Sequence, residues 1–229
     1  MFDIQPNLRD LEASIIAYEQ EPIEKGKILF YGHSWFTRWG SPKWGYRRMD
    51  EDIRMKDGSL AVVNHGFGTS TSEELLYYYD RMVRPWEPRA LVIGTRPNDS
   101  MYGYSPEETM ANISKICQWA RVDFPGIKLF LMEAPPSPKG KDNKRKDLWN
   151  NGKNERDKFN EMIRIYADTH EDTTLVSLWD KPAFFETPED VGNFRKVRED
   201  IYVPDQVHLN QEGYDILGPI FREALDDLL

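Results

Sequence analysis

The chain has 229 residues, 39% hydrophobic and 30% charged, a balance that suits one well-buried globular domain over 1–229 and excludes a disordered chain. Its formal net charge of -9 argues against nucleic acid as a partner, because a phosphate backbone must be met by clustered Lys and Arg. Nowhere do eighteen apolar residues run together, and the opening stretch MFDIQPNLRDLEASIIAYEQEPIEKGK is acidic throughout, so a cytoplasmic protein with no membrane partner is expected.

In chain order, an apolar helical pattern over Leu8–Tyr18 precedes a first strand at Lys27–Gly32 (KILFYG), and Trp35 to Trp39 can start a short helix. A second strand is expected at Leu60–Asn64, followed by a helix that Thr71 and Glu74 open as a capping box. The third strand, Arg89–Thr95, leads to a helix started by Ser105, Pro106 and Glu108. Ile127–Glu133 and Thr174–Leu178 read as the fourth and fifth strands, with a helix through Glu155–His170 between them. The last helix begins near Asn210 and buries Leu217, Phe221, Leu225 and Leu228. Short apolar strands alternating with helices predict a parallel sheet covered on both faces. Cys117, the only cysteine, falls in an apolar helical pattern and reads as a packed thiol.

Pro135–Lys158, rich in Pro, Gly, Asn, Lys and Arg, reads as a long surface loop leading into a helix. Because it follows the fourth strand at its carboxyl end, where open α/β sheets keep their sites, it can also be a lid, with Trp149 against a ligand.

Three short motifs carry chemistry. Ser34, in Gly32-His33-Ser34, stands between strand and helix, where free backbone N–H groups favour negative charge; it is either a nucleophile or an N-cap. Asp205 and His208 are three residues apart, so the carboxylate can fix the imidazole tautomer while the other ring nitrogen faces a nucleophile; a histidine packing near the last helix is the plainer alternative. Asn98, after the third strand, can donate to an oxyanion or simply make a turn. The segment from Asn64 to Thr71 ends the second strand and offers further backbone N–H donors. His33, His65 and His170 have no metal-ligand spacing, so no metal is expected.

Gly-x-Ser after the first strand, Asn-x-Gly-x-Gly after the second, Asn-Asp after the third and Asp-x-x-His before the last helix resemble the SGNH, or GDSL-type, hydrolases along nearly the whole chain. The resemblance implies a three-layer α/β/α sandwich with a five-stranded parallel sheet, flavodoxin-like. It implies ester cleavage without a cofactor on a small-molecule substrate, with a short acyl chain on a carbohydrate preferred. Ser34 matches the nucleophile, His208 the base, Asp205 its partner, and Ser34, Thr69 and Asn98 the oxyanion donors. This sequence departs from the family at three places. His33 stands where aspartate or serine is usual and would lie beside the substrate. Thr69 replaces a glycine, and a positive φ there costs a threonine energy. Arg96 replaces the glycine of Gly-x-Asn-Asp and can pair with a substrate carboxylate or phosphate, or point to solvent. If Thr69 or Arg96 blocks the pocket, the chain is instead a non-catalytic relative that binds a small or sugar-like ligand. No heptad or symmetric motif announces an interface, and a homo-oligomer is compatible with the sequence.

Overall fold

The computed structural model describes residues 8–95, 97–138, 146–187 and 196–229. Strands β1 (Ile28–Gly32), β2 (Val62–Gly66), β3 (Ala90–Gly94), β4 (Lys128–Met132) and β5 (Thr173–Val176) form one sheet in the order β2-β1-β3-β4-β5, with every pairing parallel. This is the flavodoxin-like order, and the strand order reverses at β1, which places a crevice beyond the carboxyl end of that strand.

The two-residue repeat of the strands divides the core. On one face Ile28, Phe30, Val62, Val92 and Phe130 pack with residues of α2 (Ser34–Arg38), α3 (Met49–Asp52) and α8 (Gln211–Ala224). On the other, Leu29, Tyr31, Leu91, Ile93 and Leu129 pack with α1 (Leu8–Glu19), α4 (Ser72–Met82), α6 (Pro106–Asp123) and α7 (Lys146–Asp168). The one-turn α5 (Pro97–Met101) follows β3. Strands buried on both faces explain why each reads as an apolar run rather than an alternation.

Both predicted capping boxes form, at Thr71 with Glu74 and at Ser105 with Glu108, and Asn210 caps α8 through its side chain. Cys117 is fully buried in α6, and burial pushes its thiol up to about 12. Two expectations change. Helix α7 begins at Lys146, ahead of Glu155, so the second half of Pro135–Lys158 is helical, while residues 139–145 lie outside the described residues, as does the side chain of Trp149. Strand β2 runs on to Gly66, beyond the Asn64 end expected from hydropathy, because Asn64, His65 and Gly66 pair in register with Phe30, Tyr31 and Gly32. Among the described residues no helix is long and apolar enough to cross a membrane.

Candidate active site

Ser34 is positioned by a floor of glycines. Gly32, Gly66 and Gly94 end β1, β2 and β3 and are registered neighbours across the sheet. A Cβ on Gly66 would stand 2.4 Å from the Thr37 amide nitrogen and 2.5 Å from the Phe36 Cβ; one on Gly94 would come within 2.9 Å of the Phe36 ring. Only hydrogen fits at these points, so α2 can settle directly onto the sheet end with Phe36 wholly buried, a burial worth roughly 1.5–3 kcal/mol. Asn64 locks the helix from below. Its amide donates to the carbonyls of Phe36 (2.8 Å) and Trp39 (3.1 Å), and its Oδ1 accepts the Gly66 N–H.

The residue that caps α2 is His33, not Ser34. His33 has extended backbone (φ -85°, ψ -168°) and its Nδ1 accepts the Trp35 N–H at 3.3 Å. Ser34 is the first helical residue, and its hydroxyl turns to another partner. The ring of His33 is only 2% exposed and lies parallel to Phe36, so it serves the helix instead of lining a substrate surface. Burial, with the nearby His208, lowers its pKa to about 3, which keeps it neutral beside the serine.

The Ser34 hydroxyl donates to His208 Nε2 at 2.8 Å, and His208 Nδ1 lies 2.7 Å from Asp205 Oδ2. A carboxylate only accepts, so Nδ1 carries a proton, and in the neutral imidazole Nε2 is then the base facing the serine. The other Asp205 oxygen accepts the N–H groups of Val207 and His208 at 2.9 and 3.0 Å. Burial alone would raise the Asp205 carboxyl; these N–H bonds and the imidazole outweigh it and hold the group below its ordinary value. The loop is fastened from three sides. Trp35 Nε1 donates to the Val207 carbonyl, Ser137 Oγ to the Gln206 carbonyl, and the Val203 N–H to the His208 carbonyl, while Gln206 takes a left-handed φ of 59°. Ser137 belongs to the segment read as a lid, so the first residues after β4 do run beside this loop.

On the other side of Ser34, the loop after β2 stays paired with β1, the Phe67 N–H donating to the Gly32 carbonyl at 2.9 Å. Thr69 then adopts φ 66°, the left-handed region in which a non-glycine residue is costly. Asn98, on α5, donates through Nδ2 to the Ser70 carbonyl at 2.8 Å, which uses one of the two amide hydrogens and ties α5 to the Thr69 loop. Asp99, its neighbour, is fully buried and holds α4 and β3 together by accepting from the Ser72 N–H and the Thr95 hydroxyl. Arg96 lies outside the described residues. His65, which the sequence left without a role, is a core side chain, its Nδ1 against the Met82 carbonyl and its ring between Tyr18 and Trp86.

Sequence reasoning missed the glycine floor, the Asn64 lock and the Trp35 and Ser137 fastenings. The glycines had a signal, since three predicted strands end in or run on to one; the fastenings, between residues far apart in the chain, had none.

A serine, an imidazole of defined tautomer and a carboxylate in line form an arrangement that can turn a hydroxyl into a nucleophile. Residues 30–216 match the model of the GDSL-like Lipase/Acylhydrolase family. The chain belongs to that family. Solved structures of similar fold include a GDSL-like lipase from Bacteroides thetaiotaomicron, at 20% identity and TM-score 0.69 over 97% of this chain and 98% of that one. A mutant of Axe2, an acetyl-xylooligosaccharide esterase from Geobacillus Stearmophilus, aligns at 17% identity and TM-score 0.63 over 90% and 96% of the two chains. A lipase/acylhydrolase from Enterococcus faecalis aligns at 16% identity and TM-score 0.66 over 88% and 96%. At these identities the likeness establishes the fold. The comparison with curated proteins returned no match. Within the GDSL-like family, the Gly-x-Ser, Asn-Asp and Asp-x-x-His blocks of this member fall at the carboxyl edge of one sheet, around the β1–β3 crevice.

Proposed function

We propose that this family member is a cytoplasmic serine ester hydrolase that removes a small acyl group, acetyl or another short chain, from a small molecule, an acylated carbohydrate in the first instance. The observation that carries the reading is the unbroken line from Ser34 Oγ through His208 to Asp205, with hydrogen-bond distances of 2.8 and 2.7 Å. The carbohydrate preference rests on family resemblance and on esterases among the similar folds, one of which is an acetyl-xylooligosaccharide esterase.

In the proposed reaction His208 Nε2 takes the Ser34 proton as Oγ attacks the ester carbonyl, and the carbonyl electron pair moves onto its oxygen. The N–H groups of Ser34 and Thr69 and the second amide hydrogen of Asn98 receive that charge. Collapse of the tetrahedral intermediate breaks the bond to the alcohol, which leaves with the proton from His208. Water then gives a proton to His208 and attacks the acyl-serine; collapse breaks the bond to Ser34 Oγ, which takes that proton from His208, and the acid is released. Asp205 holds the imidazole throughout. A left-handed Thr69 supports the oxyanion role, because the threonine donates through its backbone and a strained conformation is retained where it aims a group. A relative that only binds its ligand has no need of a serine held against an imidazole that a carboxylate orients.

The test is turnover of p-nitrophenyl acetate, with mass spectrometry after treatment with a serine-directed phosphonate. Wild type should hydrolyse the ester and take one adduct. Ser34→Ala should lose both, with a rate fall of about 10⁴-fold or more. Asn98→Ala should lower kcat by about 10²–10³ with less effect on KM. A folded wild type with neither turnover nor adduct would sink the proposal and favour the reversible binder.

A further inference from the structure

Helix α2 is only five residues long and has functional side chains at both ends: Ser34 begins it and Arg38 closes it. Four residues apart on one turn, the two lie on the same face. Arg38 Nη1 stands 3.5 Å from Asp205 Oδ2, the oxygen that also accepts His208 Nδ1–H. Ser34, His208, Asp205 and Arg38 therefore close a ring, with two members on α2 and two in the loop facing it. The guanidinium is not adrift at the surface. Its Cζ sits 4.0 Å from the centre of the Trp44 ring, over its face, a cation–π contact that restrains its direction, and its side chain is mostly buried.

We propose that Arg38 is a positioning residue of this site, which sets the basicity of His208 through Asp205; the proposal rests on the Ser–His–Asp reading given above. A cation on the carboxylate oxygen draws on the charge that would otherwise stabilise an imidazolium, and it also repels the imidazolium directly. Both effects favour neutral His208, the form that can take the serine proton, and extend it to lower pH. Charged or titratable groups facing this ring come from each neighbouring element. Among the described residues they are His33 next to His208 at the head of α2, Lys43, whose Nζ lies 5.3 Å from the Trp44 ring centre, and Tyr214 of α8, which feels Arg38 and Tyr46. His33 is kept neutral by burial, and among the described residues Arg38 is the arginine or lysine at ion-pair distance from Asp205.

The experiment follows the His208 imidazole by NMR titration and, in parallel, the pH profile of kcat/KM for p-nitrophenyl acetate, in wild type, Arg38→Gln and Arg38→Lys. In Arg38→Gln the imidazole pKa should rise by about 0.5–1 unit, and the acid limb of the profile should move with it, so that kcat/KM on that limb falls about 3–10-fold. Arg38→Lys keeps the charge without the planar guanidinium over Trp44 and should lie between the other two. Trp44→Leu, which releases the cation–π contact and leaves the arginine in place, should shift the titration in the same direction by less, and it serves if Arg38→Gln does not fold. A His208 titration unmoved in folded Arg38→Gln, or in Trp44→Leu should that be the variant available, overturns the proposal, since a merely structural tie would lower the melting temperature and leave the titration in place. A wild type without esterase activity would sink the reaction proposed above, and the NMR titration would still decide the role of Arg38.

Discussion

Ser34 and the Asp205–His208 loop meet at one point of the sheet edge but are held there by different physics. Ser34 sits on a helix pressed against backbone, where three glycines leave room for hydrogen only and Phe36 fills the space above them. The loop has no such seat. Its residues are half-buried or exposed, and it hangs on single hydrogen bonds from Trp35, Ser137 and Val203. Close packing transmits any added atom into the whole core, whereas a hydrogen bond of about 1 kcal/mol can open by itself. The difference teaches that the nucleophile side should fail globally and the base side locally.

The strongest way to break the packed side is Gly66→Ala. Its methyl would meet the Thr37 amide nitrogen and the Phe36 Cβ, neither of which can swing aside, so a loss of about 4 kcal/mol is expected by urea unfolding. A stable, fully active variant would show that α2 is not seated as described.

His33 sharpens the comparison through pH. The unfolded chain protonates this imidazole near pH 6.5, the folded chain only near pH 3, so between those values the unfolded state binds more protons and stability falls as pH falls. From pH 6.5 to pH 5 this amounts to about 2 kcal/mol. His33→Asn keeps a capping side chain without the titration and should lose about that much less than wild type between pH 7 and pH 5. Equal losses would mean that the ring can charge inside the fold.

Ser137→Ala tests the hydrogen-bonded side and should have the smallest effect. Removing the donor to the Gln206 carbonyl should cost about 1 kcal/mol and speed amide exchange at Val207 and His208, with the sheet unchanged. Faster exchange throughout the protein would instead make the loop part of the global unit.

Much of this was legible beforehand for a physical reason. Strands buried on both faces give continuous apolar runs, and caps act within one turn, so Thr71, Ser105 and Asn210 announced helix starts that the structure contains. Asp205 and His208 were legible as a pair because they are only three residues apart. His33 was misread, since exposure is not written in a motif: its burial and the stacking of Phe36 against it show that the ring turns inward. The extent of α7 was also missed, because a charged, Asn-rich start gave no apolar period to read.

By itself, then, the sequence determined the order of strands and helices, their caps and the short motifs that carry the resemblance, all of which depend on residues close together in the chain. Only the tertiary structure decided which side chains meet: Ser34 with His208 across 174 positions, Trp35 with Val207 across 172, and three strand-end glycines beneath one phenylalanine. Those meetings depend on strand register and on the space left between packed elements, and neither quantity is encoded in any local stretch of residues.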